Sequence, residues 1–275
     1  MNVQQIARDV YCLIGEAFDS NTTIITNGEE ALLIDALASR EDAEVLRQFV
    51  EAKLKKRVRF IICTHFFSDH LAALRLFPEA SIIAHRNYNH TFDSERFRTE
   101  EEKGHFVEPD LLISDGIRML WGRYALDVFY NPGHTMSTIN IDIPGADLLM
   151  VGDNIVGNLV YLKYSTPDLA RAALERLHRR SRSRVIEGHG GLRGGDTVAN
   201  ALHYLDSLSE NVAKARRSAE SDDSILAIAL EECLRPGVEG TDFERKFHRR
   251  NLETTVERGL FSQPALACEQ LTGIN

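Results

Sequence analysis

The stretch CTHFFSDHLAAL, Cys63 to Leu74, sets His65, Asp69 and His70 within six residues, directly after the apolar run VRFIIC. Imidazole and carboxylate are the ligands that zinc and related divalent ions take where thiolate is absent. Phe67 stands between these groups and has no lone pair to offer. Further residues of the same type lie in NPGHT (His134), VGDN (Asp153), EGHGG (His189) and SIIAH (His85). The motifs of His65, His134, Asp153 and His189 follow β-rich runs, so strand ends can gather them on one rim. Glycines beside His134, Asp153 and His189 permit sharp turns after each strand. A single histidine of this kind is more often a core or capping residue. Together, at strand ends and beside two acids, they point to a metal centre.

The elements that must position them alternate. DVYCLIG, TTIITNG and EALLIDA read as an antiparallel meander broken by turn residues. SREDAEVLRQFVEAKLKKR has an N-cap at Ser39, early acids and helical spacing. VRFIICT is a strand buried on both faces. A helix is expected from about His70 to Phe77, stopped by Pro78. Residues 86–116 read as a polar, partly helical excursion that could form a lid. IRMLWG, ALDVFYN, STINIDIPG and DLLMVGD are strand runs, PDLARAALERLHRR a helix, and SRVIEGHGG a last strand entering a glycine turn. From Gly195 the chain reads as helical, with cap-like starts at Thr197, Ser221 and Thr241. The expected division is a core over 1–194 and a helical extension over 195–275.

Composition narrows the function classes. The chain has 275 residues, 43% hydrophobic and 27% charged, as in ordinary globular proteins. Its net charge of −9 argues against nucleic-acid binding, which needs clustered Lys and Arg. HRRSRSR, His178 to Arg184, reads as a solvated helix end. No apolar run is long enough to span a membrane, and the N-terminus has no signal-peptide pattern. The four cysteines form no CxxC pair. A reducing, cytoplasmic setting is therefore expected, with Cys63 a core residue.

The succession THxxxDH, GHT, GD, GHG resembles that of the metallo-β-lactamase-fold hydrolases over roughly residues 8–195. The resemblance implies an α/β fold: a four-layer αββα sandwich with a metal centre at the edge between two sheets. The helical tail is similar to the extensions of glyoxalase II-like and alkylquinolone-linked thioesterases. Carried over, one metal site would comprise Asp69, His70 and His189. The other would keep His65 and His134, with Asp153 shared between them. Phe67 occupies the position of that second site's middle histidine.

Three outcomes are open on this reading. One metal sits at the complete site, with His65 or His134 freed to act as general base. Two metals bind, one weakly. Catalysis is lost, and the pocket serves a ligand- or partner-binding regulator. A non-hydrolytic tailoring enzyme is a further alternative. The leading expectation is hydrolysis of an ester, thioester, lactone or amide by a metal-bound hydroxide. Asp69, His65 and His134 would sit nearest the chemistry, and zinc is the first expectation, with iron or manganese open. Lactonase-like branches are included. The partners expected are a small-molecule substrate and a second copy docked through the C-terminal helices, with no nucleic acid or membrane.

His85 ends a strand near the first motif and is a minor candidate ligand. Asn154 is a candidate to orient Asp153. Glu187 either tunes the site from behind or faces solvent. Tyr161 and Tyr164 either reach substrate or pack in the core, and His90 and His105 either face the pocket or lie in solvent.

Overall fold

The computed structural model describes residues 1–95, 98–218 and 222–262. Two sheets stack face to face. The first takes its seven strands in chain order: β1 (Asn2–Ala7), β2 (Val10–Ile14), β3 (Asn21–Asn27), β4 (Glu30–Ile34), β5 (Arg57–Ile62), β6 (Ser81–His85) and β7 (Leu111–Ile113). β1 to β4 form an antiparallel meander, and β5 to β7 run parallel to β4. The second has six: β8 (Gly116–Trp121), β9 (Tyr124–Tyr130), β10 (Ile139–Ile143), β11 (Leu148–Gly152), β12 (Arg184–Glu187) and β13 (Leu192–Gly194), in the order β13-β12-β11-β10-β9-β8.

Side-chain alternation produces the layers. On β4, Ala31 and Leu33 point to a cluster shared with α1 (Arg40–Gln48), while Leu32 and Ile34 point to the other sheet. Ile24 and Ile25 of β3 divide in the same way. Trp121 closes the inter-sheet core, and its indole N–H donates to the Ile25 carbonyl at 2.8 Å. A third cluster joins Leu149, Val151 and Val185 of the second sheet to α4 (Pro167–His178), α5 (Asp196–Arg217), α6 (Asp222–Leu226) and α7 (Asp242–Arg258). Helix, sheet, sheet and helix thus form four layers, and the helical tail shares its core with the second sheet.

Several local expectations hold. Ser39 caps α1, Thr241 begins α7 with a full capping box, and α4 starts at Pro167 as expected. Others do not. The helix expected over His70 to Phe77 is two 3-10 turns, Ser68–His70 and Leu74–Leu76. Its backbone is drawn into tertiary bonds: the Ala36 N–H donates to the His70 carbonyl, and Ala72 and Ala73 donate to Leu37 and Ala36. α5 starts at Asp196 behind Gly195 rather than from a Thr197 cap, and Thr197 is buried in its first turn. The cap expected at Ser221 lies outside the described residues. The excursion over 86–116 holds α2 (Tyr88–Ser94), α3 (Glu100–Gly104) and β7. HRRSRSR is less solvated than expected, since Arg180 and Arg182 both pair with buried Asp142. Burial holds the Cys63 thiol well above its ordinary pKa, as suits a core residue.

The loop after β11 is tied to α7 by Asn251, which is fully buried. Its carbonyl oxygen accepts from the Leu162 N–H, and its amide donates to the Val160 carbonyl and the Tyr204 hydroxyl. Asn251→Leu strands these groups without water. We expect a loss of about 2–4 kcal/mol in stability, read as a lower urea midpoint at unchanged slope. An unshifted midpoint would mean the network carries no net stability.

Candidate metal centre

The six residues singled out at strand ends converge. His65 lies just past β5, and Asp69 and His70 lie in the 3-10 turn that follows. His134 sits in the β9–β10 loop, Asp153 directly after β11, and His189 just past β12. Asp153 is the hub. Its carboxylate oxygens lie 3.2 Å from His189 Nε2, 3.5 Å from His70 Nε2, 3.9 Å from His134 Nε2 and 4.0 Å from His65 Nε2. Asp69 reaches His189 Nε2 at 3.7 Å and His70 Nε2 at 3.8 Å. Three triplets, His65–His134–Asp153, His65–Asp69–His70 and His70–Asp153–His189, each bring ligand atoms within 4.8 Å of one another.

Two glycines make room for this. Gly152 adopts φ +49°, and a Cβ there would press on Thr64. A Cβ on Gly188 would overlap Asp153 Oδ1 and crowd His70 Cε1.

Hydrogen bonds hold the backs of His65 and His189 and set their tautomers. The Thr64 hydroxyl donates to Asp35 Oδ2, so its oxygen accepts from His65 Nδ1 at 3.1 Å. His189 Nδ1 donates to the Phe18 carbonyl at 2.8 Å, and His70 Nδ1 faces Asp35 Oδ2 at 3.4 Å. In each case Nε2 points at the cluster. For His134 the backbone is held instead, its N–H donating to Asn154 Oδ1 at 2.7 Å. The Asn154 amide is bound to the Asn131 carbonyl and Asn140. Asn154 therefore fixes the His134 loop, where the sequence suggested Asp153.

Electrostatics divide the histidines. Burial, then the charge of His70, holds His65 well below its ordinary pKa, and burial likewise lowers His134. Burial opposes charge on His70 and His189 too. There the carboxylates win: Asp69 and Asp153 hold His70 well above its usual value and raise His189 to about 9. Burial would raise Asp153, but His189 and His70 keep it ionised, well below the usual carboxylate range. The donor set fits a divalent cation on an observation independent of charge. His65 Nε2, both nitrogens of His70 and of His134, and Asp153 Oδ1 are buried with no hydrogen-bond partner. Buried polar atoms without partners are rare and costly, and all of these lie in or behind one cluster.

Phe67 is buried against this cluster. Its ring stands edge-on to His65 at 5.3 Å and to His134 at 5.4 Å, and tilts on Tyr164 at 4.7 Å. A cavity of about 230 Å³ opens above, lined by Asp69, Asp153, His134, His189 and Phe67 at its floor. Tyr161, Tyr164, Phe243 and Phe247 form its walls.

The minor candidates fall elsewhere. His85 bonds the Ser114 carbonyl and stacks on Tyr130 at 4.0 Å, outside the cluster. His90 is exposed, and His105 is buried against the Ser68 carbonyl. Glu187 faces neither metal nor solvent. It accepts from the Gly157 N–H and pairs with Arg193 at 3.1 Å, and burial pushes its carboxyl up to about 8. Sequence reasoning missed Asp35 and the Phe18 carbonyl, while the helical tail, open from sequence between a dimerisation surface and a pocket wall, lines the cavity through α7. A carboxylate closing the apolar run EALLI was the one available signal for Asp35.

The sequence model of the Metallo-beta-lactamase superfamily matches residues 15–235. The chain belongs to that superfamily. The Metallo-beta-lactamase type 2 of Bacillus cereus is 26% identical over 208 residues, 70% of this chain and 75% of its own. The Metallo-beta-lactamase domain-containing protein 1 of Xenopus laevis is 30% identical over 142 residues, 48% of this chain and 54% of its own. Among solved structures, a metallo-beta-lactamase from Pontibacter korlensis superposes with TM-score 0.61 at 18% identity, covering 74% of this chain and 98% of its own. The sec-alkylsulfatase Pisa1 from Pseudomonas sp. gives 0.71 at 16% identity, covering 97% of this chain and 51% of its own. Membership in the metallo-β-lactamase superfamily implies a divalent metal, and the His/Asp groups suit one. Among the described residues, no helix is long and apolar enough to cross a membrane.

Proposed function

We propose that the chain is a metal-dependent hydrolase of an ester, thioester, lactone or amide, holding one zinc ion through Asp69, His70, His189 and Asp153. The carrying observation is the His70–Asp153–His189 triplet, whose ligand atoms lie within 4.8 Å of one another, with His70 Nε2 and Asp153 Oδ1 buried and without hydrogen-bond partners. Bound there, the cation supplies Lewis acidity and a water acidic enough to be used near neutral pH.

The chain's own residues do the rest. His65 and His134 are held neutral by burial, so each keeps a lone pair for accepting a proton from water. The Thr64–Asp35 pair fixes which nitrogen of His65 is bare. Asp69 is the most exposed of the ligand carboxylates and sits on the cavity floor, where it can orient the attacking water. Phe67 occupies the volume beside His65 and His134 with a ring that has no lone pair, supporting a mononuclear site. Iron or manganese would suit the same N/O donors.

A second reading replaces the carboxylic ester by a sulfate ester. The Pisa1 superposition favours it, since that likeness extends over 97% of this chain and so takes in the C-terminal helices. Both readings are tested by a screen of thioesters, lactones, carboxylic esters, phosphoesters and alkyl sulfates on protein of measured metal content. Turnover of one class, abolished by a chelator and restored by zinc, is the expected result. Protein with no metal, indifferent to chelators, would sink the hydrolase and leave a ligand-binding role.

A further inference from the structure

The upper part of the cavity carries a charge pattern at odds with the acidic chain around it. Lys163, from the loop after Asp153, and Lys246 and Arg250, from α7, line its rim. None of the three forms an ion pair with a carboxylate among the described residues, although the chain has 41 acids to 32 Lys and Arg. Two of them lie on aromatic faces instead. Lys163 sits over Tyr164 at 5.3 Å and Arg250 over Phe247 at 5.4 Å. Burial raises the Tyr161 hydroxyl, and the nearby Arg250 guanidinium pulls against it. The acids across the cavity are already engaged. Glu95 accepts from the Ser68 N–H and hydroxyl, and Glu102 closes the capping box of α3.

Below the cations the wall is aromatic. Rings run from His134 to Tyr161 (6.1 Å), Phe247 (4.9 Å), Phe243 (4.8 Å) and His189 (6.2 Å). Phe243, Lys246, Phe247 and Arg250 are spaced i, i+3, i+4 and i+7, so one face of α7 presents both the rings and the charges. Phe18 adds a solvent-exposed ring at the opposite lip. Its residue is held in the left-handed region at φ +58° by a loop bonded to His189.

We propose that this site binds an amphiphilic anion: an apolar body against the aromatic wall and one anionic group, carboxylate, sulfate or phosphate, on Lys163, Lys246 and Arg250. In the carboxylic ester, thioester, lactone or amide reading the scissile bond then lies toward the histidines and the anion toward solvent. This deepens the hydrolase reading and rests on it for the order of the two ends, but the binding preference does not depend on turnover.

The test uses the metal-loaded full chain and a probe that coordinates metals poorly. Binding of 3-phenylpropane-1-sulfonate is compared with that of 3-phenylpropan-1-ol by calorimetric titration at low ionic strength. The anion should bind about 10-fold tighter or more, and the gap should shrink in high salt. In Lys246→Glu/Arg250→Glu, checked for helix content by circular dichroism, the preference should vanish. Equal binding of the two probes by the native protein would overturn the proposal. So would an anion preference that survives in the double variant, because the charge would then be read elsewhere. If the preference behaves as expected while no ester of either type is hydrolysed, the hydrolase reading fails and the anion site stands.

Discussion

Gly188→Ala empties the metal centre without unfolding the sandwich. The added methyl would overlap Asp153 Oδ1 and press on His70 Cε1, two of the groups proposed to hold the ion. Asp153 has little room to retreat, because it is buried and lies within 4.0 Å of four imidazoles. The backbone of Gly188 cannot easily move either. Its N–H donates to the Gly152 carbonyl, and its own carbonyl accepts from Asn21. The strain therefore falls on the carboxylate. We expect loss of tightly bound metal by elemental analysis and a fall in hydrolysis of at least about 10²-fold, with circular dichroism unchanged. Asp69→Ala and His189→Ala should match it in metal content. Gly188→Ala protein with native metal and native activity would refute the geometry proposed for the centre.

Phe67→His takes the stoichiometry from one ion per chain toward two. The ring of Phe67 already lies between His65 and His134, edge-on to both. An imidazole in its place adds a third nitrogen to a half-site that has two, with Asp153 Oδ2 within 4.0 Å of each. Zinc sites of three protein ligands with an open position are common, whereas two-ligand sites hold metal weakly. Elemental analysis after dialysis against a weak chelator reads the outcome directly. A ratio that stays at one means Phe67 is packing and not the stand-in for a ligand. A rise in metal with a fall in turnover would further support His65 or His134 as the proton acceptor, since both would then be coordinated.

What the sequence revealed follows from where the information sits. His70, His134, Asp153 and His189 each stand beside a glycine or another ligand type, and His65 follows the apolar run VRFIIC four residues before Asp69. Local pattern alone marks them as strand-end chemistry. The path of residues 70 to 77 was misread because its backbone bonds go to Ala36 and Leu37, far away in sequence. Helical spacing of Leu71, Leu74 and Phe77 exists, but tertiary bonds outrank it. Glu187 reads from sequence as either behind the site or in solvent, and only the fold shows Gly157 and Arg193 closing over it. The face of α7 reads as any amphipathic helix until Phe243 and Phe247 are seen beside the histidines.

The loop from Asp153 to Ser165 is shared property. At one end it carries the hub carboxylate. Further along, Asn158 is bonded to Glu244 and Leu162 to Asn251, both on α7. Whatever orders that loop therefore acts on the tail as well as on the centre. An ion that binds only the ordered form adds about 2.7 kcal/mol at a free concentration 100 times its Kd. Part of that mass-action gain is felt by a helix that offers the ion no ligand. On the proposed metal centre, metal supply would then set how firmly the aromatic wall of α7 is held, and the two halves of recognition would rise and fall together.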